Sequence, residues 1–288
     1  MSTSSRLRRV ARRFLDQLAP GVVGSDGGIS LDEVRLVDAV LRSRRGPDHT
    51  LIDVGAHHGG TLGPFARRGW SVHAFEPDSQ NRAHLEAGWG AASNVTIDPR
   101  AVSDAAADGV VLYRSPTSTG ISALSSFHAE HAAGELVEVT TLERYADEVG
   151  LDRVDVLKTD VEGHDLLVLS GFPWGRLHPW VVVCEFEDAK TRGIGYEHRD
   201  LGDFLVAQGY RVLLSEWYPI VEYGRRHRHR RFAAWPAELL DEAAWGNFVA
   251  FASAITYWRY RVRAAVAVVL GGWGARVVAR RDGHTSSR

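Results

Sequence analysis

Cysteine occurs once in the 288 residues, at position 184, so the chain can form no internal disulfide and cannot build a cysteine-based zinc site by itself. Cys184 lies in the apolar run WVVVCEF, where a thiol packs as a small inert hydrophobe. Net charge is nearly absent too. Lys and Arg number 34 against 36 Asp and Glu, a formal charge of −2, which gives no global attraction to nucleic acid. Long apolar runs are also missing: the longest near the C-terminus, Ala264 to Gly274, is well short of the roughly 20 residues a spanning helix needs. The N-terminal MSTSSRLRRVARRFLDQLAPG has arginines but neither a continuous apolar segment nor a small-residue cleavage site. The expectation is a cytoplasmic protein.

What is present has ordinary globular proportions, 44% hydrophobic and 24% charged, in a chain long enough for one large α/β domain with appendages. Residues 1–46 read as a helical lead-in: Val34, Leu36, Val37, Val40 and Leu41 recur at helical spacing behind Ser30 as N-cap. From Thr50 short β-branched runs alternate with helical patterns, the mark of βαβ units feeding a parallel sheet. Strands are expected at 50–54, 71–76, 94–98, 154–160 and 180–186, with helices over 60–68, 79–89, 164–170 and 198–208. VVLYR and ELVEVTT read as strands around a Ser- and Gly-rich insertion, a candidate lid carrying Ser118, Thr119, Ser122 and Ser125. YRVLLSE and WYPIVEYG read as an antiparallel pair at the sheet edge. The expected fold is thus a doubly wound, mostly parallel sheet with an antiparallel edge over residues 47–223, with a basic segment and C-terminal helical extension over 224–288.

Two basic segments stand out. GRRHRHRRF, from Gly224 to Phe232, suits either a phosphate-bearing substrate or an anionic membrane, or is a solvated loop. No aromatic-stacking module accompanies it, which argues against nucleic acid. The C-terminal helix has Arg259, Arg261 and Arg263 before its apolar run and Arg276, Arg280 and Arg281 after it. That pattern fits peripheral contact with the inner face of a membrane, or a helix docked on the domain with a solvated rim.

Open doubly wound sheets bind ligands beyond the carboxyl ends of their strands. Here those ends read Asp53-Val54-Gly55 followed by Gly59-Gly60, then Glu76-Pro77, then Lys158-Thr159-Asp160-Val161-Glu162-Gly163. A glycine turn lets a ligand approach the backbone, and an acid after the second strand can accept both ribose hydroxyls. Together they point to a nucleoside. A dinucleotide fingerprint would put glycine where this chain has His57, and a side chain there obstructs a pyrophosphate. S-adenosylmethionine, which carries no phosphate, tolerates it.

DVGAHHGG, AFEPD, RAVSD and VDVLKTDVEGHDLLVLSG together resemble the S-adenosylmethionine-dependent methyltransferases of the FkbM type, over roughly residues 50–215. The resemblance implies a class I, Rossmann-like methyltransferase fold with a seven-stranded sheet, that Asp53, Gly55 and Gly59 shape the cofactor loop, that Glu76 holds the ribose, and that Ala101 and Val102 approach the adenine. The chain departs from the pattern at His57, where the family more usually has Asn, and at His58, usually apolar. Further cofactor contacts are expected from His57, Asp160 and Glu162.

Methyl transfer from a sulfonium needs an acceptor held in line and relieved of its proton. Asp160, Glu185, His164 and Lys158 are the candidate catalytic residues, and Lys158 with Glu162 is equally readable as an ion pair that fixes the loop. Adjacent His57 and His58 are expected to project apart with no third ligand beside them, and a divalent ion on Asp160 and Glu185 has no supporting spacing motif. The acceptor implied is a small molecule or glycan, such as a sugar, a glycolipid or a secondary-metabolite alcohol. The competing readings are a nicotinamide-dependent oxidoreductase and a non-catalytic membrane-associated scaffold. Oligomeric state is left open.

Overall fold

The computed structural model describes residues 23–25, 28–115, 122–126, 132–221 and 227–282. The expected helix in residues 1–22 and the lid residues Ser118 and Thr119 lie outside them. A short hairpin, β1 (Val23–Ser25) and β2 (Gly28–Ser30), precedes α1 (Glu33–Val40). Ser30 ends that hairpin, so the N-cap of α1 is instead Asp32, whose carboxylate accepts the Arg35 N–H at 2.9 Å.

Alternation then begins as expected: β3 (Thr50–Val54), α2 (Gly63–Ala66), β4 (Ser71–Phe75), α3 (Ser79–Trp89) and β5 (Val95–Asp98). The helix expected over 60–68 is a single turn, because the residues before it are taken up by the loop after β3. Next come β6 (Ala101–Val102), β7 (Ala107–Arg114) and β8 (Ala132–Thr140), which form a separate three-stranded sheet in the order β6-β8-β7. The chain returns through α4 (Leu142–Val149), β9 (Val156–Thr159), α5 (Asp165–Ser170), β10 (Val181–Glu187), α6 (Asp188–Thr191), α7 (His198–Ala207) and β11 (Arg211–Trp217). It ends in β12 (His229–Ala234), β13 (Trp245–Phe251) and α8 (Ala254–Asp282).

The main sheet runs β12-β11-β13-β10-β9-β3-β4-β5, parallel from β10 to β5 and antiparallel beyond β10. The doubly wound, mostly parallel sheet with an antiparallel edge is the fold expected, with eight strands rather than seven. The expected strand WYPIVEYG is not formed over its described residues: Trp217 ends β11, and Tyr218 to Val221 add no strand, Pro219 offering no ladder donor. The partners of β11 are β12 and β13, and β13 inserts between β11 and β10, Glu185 facing Asn247 and Val181 facing Phe251. The sheet therefore takes its last two strands from beyond residue 223, where the sequence suggested only a basic segment and a helix.

Both faces of this sheet are covered, which is why its strands read as nearly continuous apolar runs. On one side Leu51, Val72, Val156 and Val181 pack under α1, α2, α3 and α8. On the other Ile52, Leu157, Val182 and Cys184 pack under α4, α5 and α7. Cys184 is fully buried and burial pushes its thiol pKa up, as expected for an inert side chain.

Arg230 and Arg231 of the basic run lie in β12, where both reach the buried carboxylate of Glu216, and Arg228 stacks over Tyr218. These arginines serve the sheet edge. Among the described residues no helix is long and apolar enough to cross a membrane. Because β13 is internal to the sheet, a chain ended at residue 223 should lose cooperative unfolding, seen by circular dichroism on heating. A sharp transition in that fragment would show that β13 is dispensable.

Candidate active site

The chain runs outward from β3 through β4 to β5 on one side and continues with β9 and β10 on the other, so the strand order reverses between β3 and β9. A cavity of about 320 Å³ opens there, beyond the carboxyl ends of β3, β4 and β9. Gly55, His57, Glu76, Ala101, Val102, Lys158, Asp160, Glu162 and His164 all line it, so most of the expected residues come together. Asp53, Gly59 and Glu185 stand outside the lining.

Lys158 sits at the centre. Its buried ammonium donates to the Gly55 carbonyl at 2.8 Å and pairs with Asp53 at 3.1 Å and with Asp160 at 3.7 Å. Burial alone would lower its pKa, but Asp53 and Asp160 outweigh that and hold it above the ordinary lysine value. Asp53 is wholly buried, so it acts on the cavity through Lys158 rather than by facing it.

The loop after β3 depends on conformations that most residues avoid. Gly55 has φ +77°, and a Cβ there would lie 2.0 Å from the Asp160 carbonyl oxygen. Gly59 has φ +79°, and a Cβ would meet Trp89 and Leu85 below 3 Å, which explains its place outside the cavity. His57 is left-handed as well, with φ +50°. Asn and His are among the few non-glycine residues that accept this region, so the family's usual Asn and this chain's His answer one backbone demand. The His57 and His58 rings, expected to project apart, stack at 3.8 Å, and burial followed by that neighbour lowers the His57 pKa.

Glu76 follows β4. One carboxylate oxygen accepts the His57 N–H at 2.7 Å and the other the Asp78 N–H at 3.0 Å. Burial raises its pKa to about 7 against those two donors. Asp78, which the sequence reading missed, caps α3 and accepts from Arg114 at 2.5 Å and from the Ser122 hydroxyl at 3.0 Å. Through Asp78 the described part of the expected lid is tied to the cavity mouth. Ala101, Val102, Leu112, Ala123 and Leu124 make an apolar wall opposite.

A second buried ammonium completes the site. Lys190, on α6, reaches Glu162 at 2.5 Å, Glu187 at 2.9 Å and Glu185 at 3.0 Å. Glu185, expected to touch substrate, is not part of the cavity lining; it joins Glu162 through Lys190, and alternation along β10 puts it on the same face of the sheet as Asp53 and Lys158. Oxygens of Asp160, Glu162 and Glu185 come within 4.8 Å of one another, a spacing able to hold a cation, and Lys190 already supplies positive charge to two of the three. Burial raises Glu162 to about 7 despite Lys190. Glu162 is itself left-handed, at φ +55°. His164 is half-buried, its pKa lowered by burial, and its Nδ1 has no hydrogen-bond partner among the described residues. The chain contains only two lysines, 158 and 190, and both are buried here.

Residues 53–212 match the model of the methyltransferase FkbM domain. The chain belongs to the FkbM methyltransferase family. Membership makes S-adenosylmethionine the methyl donor and displaces the nicotinamide-dependent oxidoreductase reading. The solved FkbM methyltransferase of Methylobacillus flagellatus is similar at 16% identity and a TM-score of 0.42, over 72% of this chain and 44% of that one. This chain thus spans less than half the length of that relative. A TehB-like methyltransferase of Corynebacterium glutamicum matches at 13% identity and 0.38, over 86% of this FkbM chain and 99% of its own. A Streptococcus mutans methyltransferase solved with SAH matches at 8% and 0.40, over 76% and 97%. No curated protein matches in sequence.

The cavity fits the donor: Gly60 leaves open space beside it, Gly55 lets the loop pack against the Asp160 backbone, Glu76 presents a pinned carboxylate for a diol, and the apolar wall offers a slot for a flat base. Replacing Lys190 by Met should leave three carboxylates unpaired and destabilise the fold by about 3–5 kcal/mol. The sign with pH follows. Without Lys190 the folded-state pKa of Glu162 rises further above its ordinary 4.5, so stability is retained at low pH and lost as pH climbs through that higher value. Denaturant melts at pH 5 and pH 8 check this, and an equal loss at both would remove the electrostatic account.

Proposed function

We propose that this protein methylates a hydroxyl oxygen on a sugar, a glycolipid or a secondary-metabolite alcohol. The observation that carries this is the Asp160–Glu162 pair on the cavity wall, of which Glu162 has its pKa raised to about 7 by burial. An alcohol must lose its proton as the new bond forms, and a carboxylate of that basicity accepts it at neutral pH. Bound S-adenosylmethionine supplies the activated methyl.

In this reading Glu76 accepts the ribose hydroxyls while the backbone N–H groups of His57 and Asp78 fix its orientation. Gly55 and Gly59 shape the loop, His57 closes it, and Ala101 with Val102 flank the base. Lys158 holds Asp160 at the cavity and joins it to Asp53. Glu185 acts through Lys190, setting the charge around Glu162, and His164 passes the proton outward. The uncharged hydroxyl of Ser122, which lines the cavity, suits a polar, neutral acceptor.

Mass spectrometry of glycolipids and small metabolites from cells with and without the protein should show a shift of one methylene; a shift confined to nucleic acid or protein would overturn the acceptor class. Asp160→Asn should lower turnover by about 10²- to 10⁴-fold while calorimetry still shows S-adenosylhomocysteine bound. Unchanged turnover would favour a scaffold whose acids have no catalytic part.

Cofactor affinity should depend on pH through Glu76. Ribose hydroxyls donate to the ionised form, so binding lowers its pKa from about 7 and is complete above that value. Below pH 7 a proton must leave on binding, and the dissociation constant should rise by up to about tenfold per pH unit. Calorimetry in Glu76→Gln should lose this dependence; an identical profile in both proteins would remove Glu76 from the ribose site.

A further inference from the structure

Among the described residues, helix α8 is covered on one side only over Ala254 to Val269. Tyr257, Tyr260, Ala264 and Ala267 are buried against the sheet, in the cluster that includes Phe251 and Trp217. At about 100° per residue these four fall on one side of the helix. Ile255, Trp258, Val262, Val266 and Val269 fall on the opposite side, within an arc of about 80°. They are exposed, Ile255 by 67%, Val262 by 62% and Val269 by 63%. Among the described residues, five of the eleven large apolar side chains that are exposed belong to this single stripe. Scattered exposed apolar residues are normal on a surface; a continuous stripe is not.

Its flanks carry the second observation. Arg259 and Arg263 lie along one edge of the stripe and Arg261 along the other, stacked over Trp258 at 4.8 Å. From Ala254 to Arg281 the helix contains no acid at all. A second copy of the helix laid against the stripe would bring arginine to arginine, which disfavours pairing of like with like. An anionic lipid surface instead meets each feature: acyl chains receive the apolar stripe, the Trp ring sits at headgroup depth, and the arginines reach lipid phosphates from both edges.

We propose that α8 docks this protein on an anionic membrane surface through the stripe from Ile255 to Val269. This goes beyond the acceptor reading and does not depend on it. The sequence offered two accounts of this helix, a docked helix or a membrane-surface helix, and the geometry unites them. One face holds the domain and the other faces the lipid.

Flotation with vesicles of phosphatidylcholine alone, and of phosphatidylcholine mixed equally with phosphatidylglycerol, tests the proposal on the full chain. Binding is expected to the mixed vesicles only and should weaken as salt rises. Val262→Glu should abolish it, and Arg259→Glu combined with Arg263→Glu should reduce it by about tenfold or more. Val262 and Arg259 are exposed and Arg263 is half-buried, and an unchanged melting curve and unchanged S-adenosylhomocysteine binding establish that each variant is folded. Absence of binding to mixed vesicles, or equal binding to both kinds, overturns the proposal. So does a dimer in light scattering that Val262→Glu converts to monomer, which would assign the stripe to a second copy of the chain.

Discussion

Two buried ammonium groups hold the carboxyl ends of the central strands together. Lys158 joins Asp53 on β3, the Gly55 carbonyl after it and Asp160 after β9. Lys190 joins Glu162 on the same loop to Glu185 and Glu187 on β10. Each side chain meets three oxygens from separate directions, a task for a compact cation whose three donors diverge. A planar guanidinium fork serves two parallel acceptors better. A chain with 34 basic residues uses lysine only at these two places, which is consistent with a geometric demand that arginine does not meet.

The same loops hold unfavourable backbone. His57 and Glu162 are the two non-glycine residues with positive φ among the described residues, and both line the cavity. Such conformations cost roughly 1–3 kcal/mol each and persist where surrounding contacts determine them. His57 is held by its N–H on Glu76, and Glu162 by Lys190. The acids, the ammonium ions and the strained turns are therefore one arrangement: removing a cation would release both the charge balance and the geometry that presents Glu162 to the cavity.

Much of this was legible along the chain. Strands buried on both faces show themselves as β-branched runs, and β3, β4, β5 and β10 fall where those runs are. Glu76 and Asp160 could be placed because a strand end followed by an acid needs no knowledge of the rest of the fold. Lys190, Asp78 and Arg114 could not. Lys190 sits in EDAKT with no periodic or motif signal, and its meaning arises only when α6 folds back over β10. Glu185 was legible as a strand-end acid but not as a partner of Lys190.

The order of strands shows the same division. Local pattern marks Trp245–Phe251 as aromatic and apolar but does not say that it enters between β10 and β11. Pairing between residues some seventy positions apart, such as Val181 with Phe251, is a non-local choice made by competition among edges. By itself the sequence determined the βαβ rhythm, the glycine turn and the acids at strand ends, because each follows from local backbone sterics and side-chain chemistry. Only the tertiary structure decided which acids face the cavity, which cation neutralises them and which face of α8 is left bare, because those depend on distances between segments far apart in the chain.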